Sequence, residues 1–129
     1  MPKFSQRSLE RLQTCHPLLQ LRMLRVVKKY DITVLCGHRT QGEQDAAYAK
    51  GTSKLRWPMS HHNVLPATAV DVAPWPLSWN DISRFKEMSD VVLEEWLNLD
   101  DEDTEGWKLE WGGSWAGLRD FPHFQILKR

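Results

Sequence analysis

The segment SHHNVLPATAVDVAP, residues 60–74, decides how the fold of this chain is interpreted. Its last seven residues, TAVDVAP, are rich in valine and alanine and predict a strand. Asp71 lies inside that strand, between Val70 and Val72, where hydrocarbon is expected. Because burying a lone carboxylate is costly, Asp71 needs an arginine, a helix N-terminus or a metal ion beside it. The partner of Asp71 is therefore the first clue to function.

Length and composition restrict the classes of protein to consider. The 129 residues correspond to one domain, 1–129, that is long enough to bury a hydrophobic core. Seventeen Lys and Arg balance seventeen Asp and Glu, which argues against nucleic-acid or lipid binding by bulk charge. Cys15 and Cys36 form no CxxC motif, so we expect two reduced core thiols.

Neither a signal peptide nor a membrane span is visible in the sequence. The first residues, MPKFSQRSLERLQ, have no apolar stretch, and no segment approaches the roughly 20 apolar residues that cross a bilayer. We therefore expect cytoplasmic synthesis without stable membrane insertion.

Hydrophobic periodicity and turn residues predict helices and strands in mixed order. The predicted helices cover 17–30, 39–51 and, within 76–99, the longest one, capped by Ser78, Asn80 or Asp81. The predicted strands cover 31–37, 68–74, 107–113 and 123–127. Because the order is not a strict βαβ alternation, we expect an α+β domain with a small, mainly antiparallel sheet and helices packed against it.

Two loops connect these elements. Residues 52–68 contain Pro58 and Pro66 and carry two of the histidines. The acidic segment DDEDTEG, residues 100–106, is compatible with a calcium site, but we favour a solvated turn before the next strand.

The chain has five histidines: His16, His38, His61, His62 and His123. We interpret His16 and His38 as surface or core residues. His123 differs, because the stretch RDFPHFQI places it at the start of a strand, three residues after Asp120 and across a proline turn.

A catalytic zinc ion takes three nitrogen or oxygen ligands and keeps an open position for water near a carboxylate. His62, Asp71 and His123, with Asp120 nearby, would supply that set. The alternative from the residues alone is a salt bridge between Asp71 and Arg39.

These residues resemble a family of zinc peptidases that includes D-alanyl-D-alanine carboxypeptidases and phage L-alanyl-D-glutamate endopeptidases. The motif is S-x-H…A-x-D followed by D-x-x-H, at Ser60, His62, Ala69, Asp71, Asp120 and His123. The resemblance also includes GHRTQGEQDAAYAKGTSK and EWGGSWAGLRDFPHFQI, and so covers most of the chain from residue 31 onward. It implies that His62, Asp71 and His123 bind zinc.

One spacing departs from the family. Eight residues separate His62 from Asp71 instead of the usual six, and the excess falls in the loop NVLPAT. His61 is the alternative ligand to His62, which lies in the Ser-x-His frame.

The resemblance also implies roles for the neighbouring residues. Asp120 is expected to be the general base, and a base as short as aspartate suggests the phage endopeptidase branch. Arg39 resembles the family's arginine that stabilises the developing carbonyl oxyanion. The expected substrate contacts are Ser60, Gln44 and Trp111. Trp115 is a further candidate, although at least one of these two tryptophans is expected to pack in the core.

The predicted function is a zinc-dependent peptidoglycan peptidase, a phage endolysin that cuts the L-alanyl-D-glutamate bond of the stem peptide. We expect a monomer that waits in the cytoplasm and reaches the cell wall after the membrane is opened. One alternative is a D-alanyl-D-alanine carboxypeptidase. The other is a non-catalytic zinc-binding module, although a structural zinc would need neither Asp120 nor Arg39.

Overall fold

A four-stranded antiparallel sheet lies at the centre of the structure, a computed structural model that describes residues 2–99, 104, 106–117 and 119–129. Its strands are β1 (Ile32–Cys36), β2 (Ala69–Pro74), β3 (Trp107–Trp111) and β4 (His123–Lys128). They lie side by side in the order β1-β2-β4-β3, and each neighbouring pair is antiparallel. The predicted α+β class is confirmed.

Four helices that lie within the described residues accompany the sheet: α1 (Gln6–Leu12), α2 (Pro17–Lys29), α3 (Gln41–Ala49) and α4 (Ile82–Leu97). The sequence prediction missed α1, which is only seven residues long and begins at an N-cap serine, Ser5. The helix predicted within 76–99 begins at Ile82 with Asp81 as its cap. None of the helices in the described ranges has both the length and the apolar character of a membrane span.

In the second half of the chain one sequence prediction changes and another cannot be compared with the structure. The strand predicted over 107–113 ends at Trp111, and a 3-10 turn, Gly112–Ser114, follows it. The acidic segment cannot be compared, because residues 100–103 and 105 lie outside the described residues.

The alternation of side chains along β2 explains how Asp71 can lie between two valines. Val70 and Val72 are fully buried in the hydrophobic core. Successive residues of a strand point to opposite faces, so Asp71 leaves the core and faces a surface groove. The carboxylate is therefore not surrounded by hydrocarbon, and it remains 17% exposed.

The core packs α2 and α4 against the sheet. Its largest fully buried side chains include Leu12, Leu19, Met23, Phe85, Met88, Phe124 and Ile126. Arg22 of α2 connects the two helices through Glu95 of α4. Its guanidinium donates a hydrogen bond to the backbone oxygen of Glu95 (3.1 Å) and forms an ion pair with the Glu95 carboxylate (3.7 Å). Lys29 also bonds this carboxylate and lowers the pKa of Glu95. Arg22 itself is buried.

We predict that Leu19→Ala lowers the free energy of unfolding by about 2–5 kcal/mol, because it leaves a cavity between α2 and the rest of the core. Urea denaturation followed by circular dichroism measures the change. The matched control is Leu97→Ala, whose side chain is 80% exposed and which should shift stability by less than about 0.5 kcal/mol. Equal losses in the two variants would contradict this packing.

Candidate active site

Strand pairing brings Asp71 and His123 together. The two residues lie directly opposite each other on β2 and β4, and Nδ1 of His123 is 3.0 Å from Oδ1 of Asp71. His62 arrives from a 3-10 turn, His61–Asn63, and places its Nε2 3.2 Å from the same oxygen. Two imidazoles contributed by distant parts of the chain thus meet at one carboxylate oxygen.

The ring nitrogen of His62 that does not contact Asp71, Nδ1, is held by a hydrogen bond to the backbone. Nδ1 lies 2.7 Å from the carbonyl oxygen of Gly37 and must donate to it, since a carbonyl can only accept. In the neutral ring, Nε2 therefore carries a lone pair that points at Asp71. The ring is 2% exposed, and its backbone N–H is capped by Ser60 Oγ (3.1 Å).

The ring nitrogen of His123 that does not contact Asp71, Nε2, is held by a chain of two side-chain hydrogen bonds. The carboxylate of Glu110 accepts from Nε2 of Gln125 (3.3 Å), so the amide oxygen of Gln125 faces His123. Nε2 of His123 donates to that oxygen at 2.7 Å. In the neutral ring, the lone pair of His123 is therefore on Nδ1 and also points at Asp71.

Three lone-pair atoms converge as a result: Nε2 of His62, Nδ1 of His123 and Oδ1 of Asp71. Such a cluster repels itself unless a proton or a metal cation lies within it. Burial alone would lower the pKa of His62, but the charge and hydrogen bond of Asp71 outweigh it and raise that pKa to about 10. Burial would raise the pKa of Asp71, yet the two histidines hold it well below its usual range. Both shifts show a site that attracts positive charge.

Cys36 is a site neighbour that sequence reasoning missed. It was predicted as a core thiol, but it is only half-buried, pairs with Asp71 across β1 and β2, and lies 3.8 Å from Nδ1 of His62. Donor atoms of Cys36, His62 and Asp71 lie within 4.8 Å of one another, so this group can hold a metal ion. Cys15 is a buried free thiol as predicted, and burial raises its pKa to about 12.

The alternative partner of Asp71, Arg39, is present as well. Nη2 of Arg39 lies 3.7 Å from Oδ2 of Asp71, the oxygen that the histidines do not contact. Arg39 precedes α3, where Thr40 and Glu43 form a capping box that fixes the start of the helix. Its backbone N–H donates to the carbonyl oxygen of His62 (2.7 Å). The ion pair and the histidine cluster therefore coexist around one carboxylate.

Gln44 does not occupy the position expected of a substrate contact. Its side chain is fully buried, and its amide oxygen accepts from Arg39 (2.8 Å) and Asn63 (3.1 Å). Its amide nitrogen donates to Ser53 Oγ (2.9 Å) and to the carbonyl oxygen of Leu55 (2.7 Å). Both its amide oxygen and its amide nitrogen are thus engaged within the protein. The prediction is corrected: Gln44 braces Arg39 and the loop at residues 53–55.

A groove of about 680 Å³ lies over the histidine cluster. Asp120 lines it with a side chain that is 45% exposed, and its Oδ2 is 4.0 Å from Nδ1 of His123. Burial and the charge of Asp71 raise the pKa of Asp120. Ser60 also lines the groove, although its hydroxyl already accepts the His62 N–H.

The two tryptophans of WGGSW take different places, and Trp111 is not the one in the groove. The indole of Trp111 donates to the carbonyl oxygen of Phe121 (2.8 Å) and packs against the core, and Trp111 is not among the described residues that line the groove. Trp115 lines the groove instead, with its ring 5.3 Å from that of His123.

The glycines of WGGSW allow the chain to fold back on Asp120. A Cβ atom at Gly112 would lie 2.4 Å from the backbone oxygen of Asp120, and one at Gly113 would lie 2.2 Å from the ring of Trp111. The backbone N–H of Asp120 donates to the carbonyl oxygen of Gly112 (3.0 Å). The close approach holds Asp120 at the groove beside His123.

His61 bonds a different partner from the residues of the cluster. Its Nδ1 is hydrogen-bonded to Thr68 Oγ1 at 2.9 Å. Although it lines the groove, its ring is engaged by the loop that leads into β2.

Comparison with known proteins gives this site a family. A family model described as phage L-alanyl-D-glutamate peptidase matches residues 1–125. The peptidoglycan L-alanyl-D-glutamate endopeptidase CwlK of Bacillus subtilis (strain 168) is 27% identical, over 87% of this chain and 73% of CwlK. The crystal structure of the Serratia marcescens L-Ala D-Glu endopeptidase ChiX aligns with a TM-score of 0.76 and 28% identity, covering 98% of this chain and 91% of ChiX.

The fold and these matches define a peptidase of the bacterial cell wall. The chain belongs to the phage L-alanyl-D-glutamate peptidase family. Its activity is that of a peptidoglycan L-alanyl-D-glutamate peptidase, as the sequence predicted. The carboxypeptidase and the non-catalytic module are correspondingly disfavoured.

Proposed function

We propose that the enzyme holds one zinc ion through Nε2 of His62, Oδ1 of Asp71 and Nδ1 of His123, and uses it to cut the stem peptide. The observation that carries this proposal is the convergence of three lone pairs, each oriented by a hydrogen bond or by its strand. Two imidazole nitrogens and one carboxylate oxygen form a donor set suited to catalytic zinc. When bound, zinc supplies a Lewis acid that activates water and polarises the scissile carbonyl.

Asp120 is proposed as the general base. Its carboxylate is accessible from the groove. Oδ2 of Asp120 lies 4.0 Å from Nδ1 of His123, farther than the 3.0 Å between that nitrogen and Asp71. It takes a proton from the attacking water, whose oxygen bonds to the alanine carbonyl carbon. As the C–N bond breaks, Asp120 returns the proton to the amine of D-glutamate.

Arg39 is proposed to stabilise the oxyanion that develops on the alanine carbonyl oxygen. Its guanidinium lines the groove, and Gln44 fixes one of its nitrogens. A cation positioned in advance stabilises the transition state without reorganising during the reaction.

The charge of the groove fits an acidic stem peptide. Lys54 and Arg119 line the groove together with Arg39, and no carboxylate in the described part of the chain forms an ion pair with either of the first two. D-Glutamate and the residues that follow it in the stem carry carboxylates. Opposite charges of this kind promote binding and orient the substrate.

For its biological setting we propose a phage endolysin that acts during host lysis, after the cytoplasmic membrane has been opened. The family description, which names phage peptidases, supports this setting. We also propose that a monomer suffices, because every residue assigned a role above comes from one chain.

Digestion of purified peptidoglycan tests the proposed activity. Mass spectrometry of the products should show new peptides that begin with D-glutamate, together with glycan that retains L-alanine. Loss of terminal D-alanine alone would indicate the carboxypeptidase. Tight zinc binding without any released fragment would indicate the non-catalytic module.

Replacing each proposed ligand by alanine should lower the zinc content of the purified protein far below about one equivalent per chain, as measured by elemental analysis. The three variants are His62→Ala, Asp71→Ala and His123→Ala. His61→Ala and Cys36→Ser are the matched controls and should keep their zinc.

The controls rest on geometry. His61 bonds Thr68, and Cys36 approaches His62 at the nitrogen that already donates to Gly37. If Cys36→Ser lost zinc while His123→Ala kept it, the metal would belong to the Cys36, His62 and Asp71 group instead.

Asp120→Asn should keep zinc but lose hydrolysis by roughly two to four powers of ten, because an amide cannot accept the proton of the attacking water. Zinc content and release of wall fragments are measured on the same preparation. Loss of both would make Asp120 a ligand, and retention of both would remove it from the mechanism.

Gln44→Met should lower kcat by about ten- to hundredfold, because the thioether keeps the volume of glutamine but releases the guanidinium of Arg39. In an Arg39→Ala background the same change should cost clearly less than in the wild type, since only its effects through Asn63 and the loop at residues 53–55 remain. The control is Gln41→Ala, an exposed glutamine of the same helix. If the fold losses in kcat of the two single variants simply multiply in the double variant, Gln44 does not act through Arg39.

A further inference from the structure

Trp79 presents one face of its indole ring to solvent at the edge of the groove. It lies in the segment 75–81 between β2 and α4, and 56% of its surface is exposed. Its other face stacks on Phe85, with ring centroids 6.0 Å apart and an angle of 16° between the rings. Phe85 itself is buried in the core. The indole is therefore a flat apolar surface with a rigid support.

Hydrogen bonds fix the first residues of this segment and also close the turn around Trp79, where the backbone N–H of Asp81 donates to the carbonyl oxygen of Ser78 (3.1 Å). The backbone N–H of Trp75 donates to the carbonyl oxygen of Asp31 (2.9 Å). The guanidinium of Arg84 donates to the carbonyl oxygen of Pro76 (2.7 Å). A surface held in this way loses little conformational freedom when a ligand packs on it.

The ring is continuous with the catalytic groove. Trp79 and Phe85 line the same groove as the histidine cluster. Phe85 lies 6.3 Å from the ring of Phe121, which directly follows Asp120 in the chain. A substrate seated over Asp120 can therefore extend onto Trp79.

The two parts of the substrate on either side of the scissile bond differ in charge. On the D-glutamate side the stem is an acidic peptide. On the other side a single L-alanine precedes the lactyl group of N-acetylmuramic acid, whose carboxyl is used up in the amide, so this half ends in an uncharged sugar. The groove offers both kinds of surface, because Lys54 and Arg119 line it as cations and Trp79 lines it as an aromatic ring.

We propose that Trp79, supported by Phe85, is a platform on which the N-acetylmuramic acid residue next to the scissile bond stacks. The pyranose ring offers a face of C–H groups, and an indole face is the side-chain surface best suited to pack against it. The subsite deepens the proposed activity and rests on it, because it makes the glycan part of the recognised substrate.

Two substrates that share the same peptide test the subsite: a disaccharide-linked muropeptide and the free stem peptide with an acetylated L-alanine. The wild-type enzyme should cleave the muropeptide with a kcat/KM about tenfold higher, mainly through a lower KM. Trp79→Leu still covers Phe85 but lacks a flat ring, and it should remove this preference while changing cleavage of the free peptide by less than about twofold. Trp79→Phe should retain most of the preference.

The control is Trp75→Leu, which alters an equally exposed tryptophan of the same segment and should leave both substrates unaffected. Zinc content and thermal unfolding confirm that each variant is intact. Equal cleavage of both substrates by the wild type would overturn the subsite, as would an equal loss on both in Trp79→Leu. Failure of the wild type to cleave either substrate would instead refute the proposed activity.

Discussion

The carboxylate of Asp71 is the interaction on which the structure of this site depends. One of its oxygens receives two imidazoles and the other faces a guanidinium, so a single side chain on β2 orients three residues from three parts of the chain. Each imidazole is held from behind by a hydrogen bond to Gly37 or Gln125, which fixes the tautomer as well as the position. The order of the sheet makes this possible, because β2 lies directly beside β4, on which His123 stands.

A second layer of buried polar groups connects this cluster to the groove. Gln44 joins Arg39, Asn63 next to His62, and the loop that forms part of the groove wall. Because it lies in a fully buried position, its hydrogen bonds are strong and geometrically selective. The position of Arg39 is thereby tied to the shape of the substrate groove.

The sequence was sufficient for the fold class, the family, and the two histidines and the arginine that contact Asp71, since these follow from hydrophobic periodicity and from short motifs. The errors concern residues whose roles depend on burial or register. Gln44 and Trp111 look like substrate contacts until the fold shows one fully buried and the other packed on the core. Cys36 could not be placed without the register of β1 against β2, which contains an irregularity just before it.

The alternation of side chains along β2 links the packing of the core to the assembly of the active site. Val70 and Val72 supply the core while Asp71 supplies the site, so shifting the register by one residue would bury the carboxylate and expose both valines. Packing and site assembly are thus one cooperative event. A chain with Val70 and Val72 in its core therefore presents the Asp71 carboxylate to the groove, and a one-residue error in strand pairing costs the core as well as the site.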